Sequence, residues 1–220
     1  MDREKELDLP AIDNLVVAGW TGRNVAVLEA HISELAALGV ARPKSVPIFY
    51  RNSATLLTTA ASIQVVGDKS SGEAEFVLYA LGAALWVGVG SDHTDRHAET
   101  INVTMSKQMC PKPVGVRLWR YADVKPHWEQ LMLRSFVPGE NGERRVYQQG
   151  SVANMRPPEE LIRLYTGRDA LPAGTAMFCG TLPVHGGIAH SNAFEIELED
   201  PVLERKLAHA YTILSLPDEG

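Results

Sequence analysis

Cysteine is scarce in this chain: only Cys110 and Cys179 occur, and no Cys-x-x-Cys pair is present. That excludes a disulfide framework and points to a reducing cytoplasm. No run of Lys and Arg is long enough to grip a phosphate backbone, and the formal net charge is -6, so nucleic acid is not an expected partner. The N-terminus, Met1-Asp2-Arg3-Glu4-Lys5-Glu6, is charged and lacks the apolar stretch of a signal peptide. The apolar, charge-free stretch Phe76 to Gly90 falls short of the roughly 20 residues a helix needs to cross a bilayer. It contains Gly82, Gly88 and Gly90 and reads as buried sheet. No internal repeat or low-complexity segment is visible.

What is present is an ordinary globular mixture, 45% hydrophobic and 22% charged over 220 residues. A chain this long buries roughly 70% of its unfolded surface and needs no staples. One domain over 1–220 is expected. Residues 13 to 20 read as a strand, followed by a helix around Asn24 to Leu38 with an apolar stripe of Val25, Leu28, Ile32, Leu35 and Ala36, capped by Gly39. From Val46 the segments 46–50, 54–58, 62–66, 73–80 and 83–89 are short and rich in β-formers. Lys125 to Arg134 is read as a helix with Trp128, Leu131 and Met132 inward, and Arg144 to Gln149 as a strand. Pro157-Pro158 opens a helix through Tyr165. Strands follow at 175–180 and 193–199, with a strand or helix near 205–214. The expected class is α+β with β dominant.

Four constellations carry candidate chemistry. Glu73 and Glu75 lie two apart, so a strand would project both carboxylates to one face. The bland alternative is a solvated pair at a strand start. The apolar run ending Val87-Gly88-Val89-Gly90 breaks into Ser91-Asp92-His93-Thr94-Asp95-Arg96-His97, the kind of strand end where sites are built. Met105 to Gly115 holds Pro111 and Pro113 and reads as a fixed loop, within which Lys107 is either a surface lysine or a point charge for an anionic substrate. Leu171 to Pro183 reads as a turn, an apolar strand and then Gly180-Thr181, whose hydroxyl and backbone amides suit a carboxylate clamp.

Taken in order, the four resemble the fumarylacetoacetate-hydrolase-like superfamily over about residues 15 to 212. Its members carry a Glu-x-Glu strand, matched by Glu73 and Glu75. They follow it with Asn-Asp-Val-Ser-x-Arg-Asp, matched by Ser91-Asp92-His93-Thr94 and Arg96. A Gly-Lys-Ser loop leading to Pro-Leu-Gly-Pro is matched by Ser106-Lys107 and Cys110 to Gly115. A Leu-x-Pro-Gly-Asp-x-Ile-x-Thr-Gly-Thr-Pro segment is matched by Leu171 to Pro183. Ser91 replaces the Asn, Asp95 and His97 alter the loop, and Tyr50-Arg51-Asn52 stands where many relatives have Lys-Pro-Pro. The chain looks closest to the bacterial branch called domain-of-unknown-function 2848.

The resemblance implies a mixed β-sandwich roll with core 45–215 and an N-terminal strand and lid helix at 13–40. It implies a cytoplasmic homodimer and a divalent metal, Mg²⁺ or Mn²⁺, held by Glu73, Glu75 and Asp92. Hard oxygen ligands suit those ions better than zinc. The implied activity is hydrolysis, or hydration or decarboxylation, of a small anionic oxo- or dioxo-acid through a stabilised enolate. Lys107 is expected to act catalytically, and Thr181, Gly180, Arg96, Tyr50 and Arg51 to bind substrate. Arg96 is read as a partner that orients Asp92. His31 and Glu34 lie three apart on the first helix and resemble the superfamily's lid acid/base pair. Two alternatives stand beside this one: a zinc site built from alternating His93, Asp95 and His97, and a non-catalytic binding domain of the same fold.

Overall fold

The computed structural model describes residues 4–37 and 42–219. Its backbone is dominated by two sheets. The larger has seven strands in the order Glu4–Glu6, Arg117–Arg120, Ala84–Ser91, Ala74–Leu81, Thr175–Thr181, Asn14–Gly19 and Ile48–Asn52. The smaller has five, in the order Arg144–Ser151, Met132–Pro138, Ala193–Asp200, Arg205–Leu216 and Ser62–Val66. Each sheet has one parallel pair: Thr175–Thr181 with Asn14–Gly19, and Arg205–Leu216 with Ser62–Val66. The expected mixed, strand-dominated α+β architecture is what the chain forms.

The centre of the larger sheet is a hairpin that turns at Gly82, whose φ of +63° is left-handed and suits a residue without Cβ. Its first strand is buried along its whole length. Phe76, Leu78 and Ala80 face the core shared with Leu133, Ile196 and Leu198 of the smaller sheet. Val77, Tyr79 and Leu81 face a second core with Leu15, Val17 and Leu118. Apolar packing on both faces explains why Phe76 to Gly90 reads as a continuous apolar run rather than an alternating one.

The first helix runs Val25–Ala37. Leu28 and Ile32 of the expected stripe are buried, but Val25, the first residue of the helix, is exposed. Gly39 and the side chains of Leu35 and Ala36 lie outside the described residues. The stretch 54–58 is mostly a 3-10 turn, Ala54–Leu56. Lys125 to Arg134 is not one helix. A 3-10 segment, Lys125–Gln130, kinks at His127 and gives way to the Met132–Pro138 strand, because pairing with both neighbouring strands outweighs local helical periodicity. Of the three residues read as inward, Trp128 and Leu131 are buried and Met132 is half-buried. Residues 205–216 are strand. Two helices, Arg96–Ile101 and Val103–Met109, follow Asp92, and the second takes up Met105 to Met109 of the expected fixed loop. Asp95 caps the first by accepting from the Ala98 amide, and Asn102 caps the second by accepting from Met105. Among the described residues no helix is long and apolar enough to cross a membrane.

Candidate metal centre

Glu73 and Glu75 stand at the start of the Ala74–Leu81 strand and share a face by the two-residue period. The hairpin register pairs Ala74 with Ser91 and Glu75 with Gly90. The ladder continues one step, with the Asp92 amide donating to the Glu73 carbonyl at 2.9 Å. A residue 17 positions on is thereby set beside the pair. One oxygen from each of Glu73, Glu75 and Asp92 lies within 4.8 Å of the others. Asp92 is fully buried, Glu75 is 2% exposed, and Glu73 opens to the outside.

Around them sit three cations. Lys107 Nζ donates to Asp92 Oδ2 and lies 3.6 Å from Glu73 Oε2. Lys112, fully buried, lies 2.9 Å from Asp92 Oδ1 and donates to the His93 carbonyl at 2.5 Å. Arg96 contacts Glu73 Oε1 at 3.2 Å and Glu99 Oε2 at 2.9 Å, and its Nε donates to Ser71 Oγ at 2.6 Å. Arg96 therefore orients Glu73, not Asp92 as expected, because its place in the first turn of a helix aims it back along the strand.

The charges divide the carboxylates. Burial alone would raise Asp92, but Lys107 and Lys112 outweigh it and hold the carboxyl well below its ordinary range. Glu75 makes no ion pair with a lysine or arginine among the described residues. Burial first, then Asp92 and Glu73, drive its carboxyl well above the ordinary range, against the charge of Lys107 and one hydrogen bond from the Gly180 amide at 2.6 Å. Burial would lower Lys107, yet Asp92, Glu73 and Glu99 raise it, so it stays an ammonium. A hard-oxygen triad in which buried Glu75 is short of positive charge fits a divalent cation.

Lys107 is on the Val103–Met109 helix rather than in a loop. Asn52 fastens that helix by donating Nδ2 to the Lys107 carbonyl at 2.8 Å. The prolines fix the chain only after it. Tyr50 shares the Asn52 face; burial raises its hydroxyl, with Lys107, Glu99 and Asp92 near enough to act on it. Arg51 falls on the opposite face, where it donates to Tyr165 Oη at 3.2 Å and Asn14 Oδ1 at 2.7 Å, so alternation carries it away from the carboxylates. Gly180 spends its amide on Glu75. Thr181 donates its hydroxyl proton to the Ala74 carbonyl at 2.7 Å, so in this arrangement that proton does not reach a substrate. The side chains of His31 and Glu34 lie outside the described residues.

The zinc arrangement of His93, Asp95 and His97 does not form. His93 is buried, with its ring nitrogens 3.0 Å from Tyr211 Oη and 2.9 Å from Ser70 Oγ, and burial followed by Lys112 and Arg96 pushes it down to about 3. Asp95 is the helix cap, and His97 is exposed on that helix. The alternation argument fails because the chain turns helical at Arg96. Sequence reasoning missed Lys112, Asn52, Glu99 and the buried Gln148. A lysine between two prolines was the one available signal.

No curated protein sequence matches the chain. Among solved structures, Cg1458 with an inhibitor is similar at TM-score 0.67 and 18% identity, over 94% of this chain and 78% of that one. A 2-keto-3-deoxy-D-arabinonate dehydratase complexed with magnesium and 2,5-dioxopentanoate is similar at TM-score 0.63 and 15% identity, over 94% and 75%. Its apo form is similar at TM-score 0.64 and 16% identity, over 94% and 74%. These likenesses concern the fold alone, and they fit the mixed, strand-dominated architecture that the resemblance implied. The sequence pattern described as protein of unknown function (DUF2848) matches residues 18–211, and the chain belongs to that family.

Proposed function

We propose that this chain is a divalent-metal-dependent enzyme acting on a small oxo- or dioxo-acid by lyase or hydrolase chemistry. The carrying observation is the convergence of Glu73, Glu75 and Asp92 beneath Lys107, with two of the three carboxylates buried. A bound Mg²⁺ or Mn²⁺ would supply positive charge for an oxygen that becomes negative when a proton or a carbon group leaves the position next to a ketone. Lys107 holds an anionic end of the substrate as a point charge. Arg96 fixes the outermost ligand, Glu73. Tyr50, on the edge strand Ile48–Asn52, borders the charged group and stays protonated, as a donor. His31 and Glu34 are the proposed acid/base pair. The dehydratase of similar fold, complexed with magnesium and a dioxo-acid, supports the substrate class and favours a lyase.

The test is a panel of 2-oxo and 2,4-dioxo acids incubated with the protein in Mg²⁺, Mn²⁺ or EDTA, with products read by mass. Turnover that disappears in EDTA, and with Lys107→Met, is expected. A panel without turnover, together with a melting temperature that no divalent ion moves, overturns the reading.

A further inference from the structure

Gln148 lies on the Arg144–Ser151 strand of the smaller sheet and is fully buried. Its Oε1 accepts from the Ala74 amide at 3.0 Å and from Ser135 Oγ at 2.8 Å. Its Nε2 donates to Thr181 Oγ1 at 2.7 Å and to the Leu182 carbonyl at 2.6 Å. A primary amide offers two donor hydrogens and one acceptor oxygen with two lone pairs, so every bond it can make is made. Thr181 closes a ring by donating to the Ala74 carbonyl. Ala74 is the residue between Glu73 and Glu75. Both of its backbone polar groups are thus held by side chains from elsewhere in the fold.

The ladder explains why they are needed. Phe178 pairs with Val77, but three residues on it is Thr181 that pairs with Glu75, so the register slips as the strand reaches the carboxylates. A bulge leaves backbone groups unpaired. Gln148 and Thr181 take them up where two ligands start. A metal site tolerates only about 0.5 Å of play in its ligands. A fully satisfied buried amide is rigid, whereas an apolar residue of that size would fill the space without fixing a register.

We infer that Gln148, acting through Thr181, is a positioning residue that sets the spacing of Glu73 and Glu75; this rests on the metal-dependent reading above. Titration of the whole protein with Mn²⁺ alone, followed by calorimetry, tests it. Gln148→Leu and Thr181→Val should each weaken binding about tenfold or more, the size of effect that groups behind metal ligands show. Thr181→Ser, which keeps the hydroxyl, should stay within about threefold of wild type. Leu161→Ala, a cavity in the same core, should lower the melting temperature and leave affinity unchanged. Wild-type affinity in Gln148→Leu and Thr181→Val, or an equal loss in Leu161→Ala, overturns the assignment. If Gln148→Leu does not fold, Thr181→Val decides. If the wild type takes up no ion, the metal reading falls. The strut is then judged by hydrogen exchange at the Ala74 amide, which should quicken in Thr181→Val; unchanged protection overturns it.

Discussion

Lys112 Nζ lies 2.9 Å from Asp92 Oδ1, and neither side chain is exposed to solvent. Two lysines thus serve one carboxylate, Lys107 at the mouth and Lys112 at the back. Lys112 also donates to the carbonyl of His93, so it ties down the turn that carries the third proposed ligand.

Removing one member of a buried pair strands the other without compensation, at about 3–5 kcal/mol. Lys112→Met should therefore lower unfolding free energy by about that amount in urea titrations. A loss under about 1 kcal/mol would show that Lys107 alone satisfies Asp92.

Glu75→Gln should behave in the opposite sense. Burial, Asp92 and Glu73 raise this carboxyl in the folded chain, so the folded state prefers it protonated. A raised carboxyl favours folding below its unfolded pKa, and that contribution is lost as pH rises through the folded value. In EDTA the amide variant should melt higher than wild type at pH 8, by about 2–4 °C for each kcal/mol relieved. The difference should vanish in acid, where both side chains are neutral, and the variant should lose any stabilisation by Mn²⁺. Identical melting curves across pH would mean Glu75 carries no strain of charge.

Gly180 has φ +98°, and a Cβ there would stand 1.8 Å from Thr21 Oγ1. Gly180→Ala forces both a left-handed non-glycine and a displaced Thr21, of order 1–3 kcal/mol from the backbone alone. The Gly180 amide would also leave Glu75. Circular-dichroism melting should show the loss, and a Thr21→Ala background should recover part of it. No recovery would place the cost in the backbone rather than the clash.

Far from the carboxylates, Asp200 is fully buried and accepts from the amides of Val202 and Leu203 at 3.1 Å and from Arg205 Nε at 3.2 Å, with His127 Nε2 at 2.9 Å. Burial would raise it, but these contacts outweigh burial and hold the carboxyl below its ordinary range. A depressed carboxyl gives stability that is present above its unfolded pKa and lost as pH falls through the folded value. Asp200→Asn should be less stable than wild type at pH 7 and flatter in its pH dependence below about pH 4. Parallel urea profiles at pH 7 and pH 3 would remove Asp200 from the acid response.

The sequence by itself determined the local pieces of the site. Glu73 and Glu75 share a face because strand side chains repeat every two residues, a property of the chain and not of its surroundings. The buried hairpin was legible as an apolar run, and Asp92 as its polar end. The helix at Pro158–Thr166 was legible from its opening prolines. Tertiary structure decided which partners those pieces meet. Alternation suggested a metal face for His93, Asp95 and His97, but the chain turned helical and buried His93 against Tyr211 and Ser70. Arg96 was expected to orient Asp92, yet a helical turn gave it to Glu73. Gln148 meets Ala74 from 74 residues away, on the other sheet. Local sequence carries a period, and a period fixes which way a side chain faces. It holds no record of which distant strand packs against that face, and that packing is what assembled the carboxylates, their lysines and the buried amide into one place.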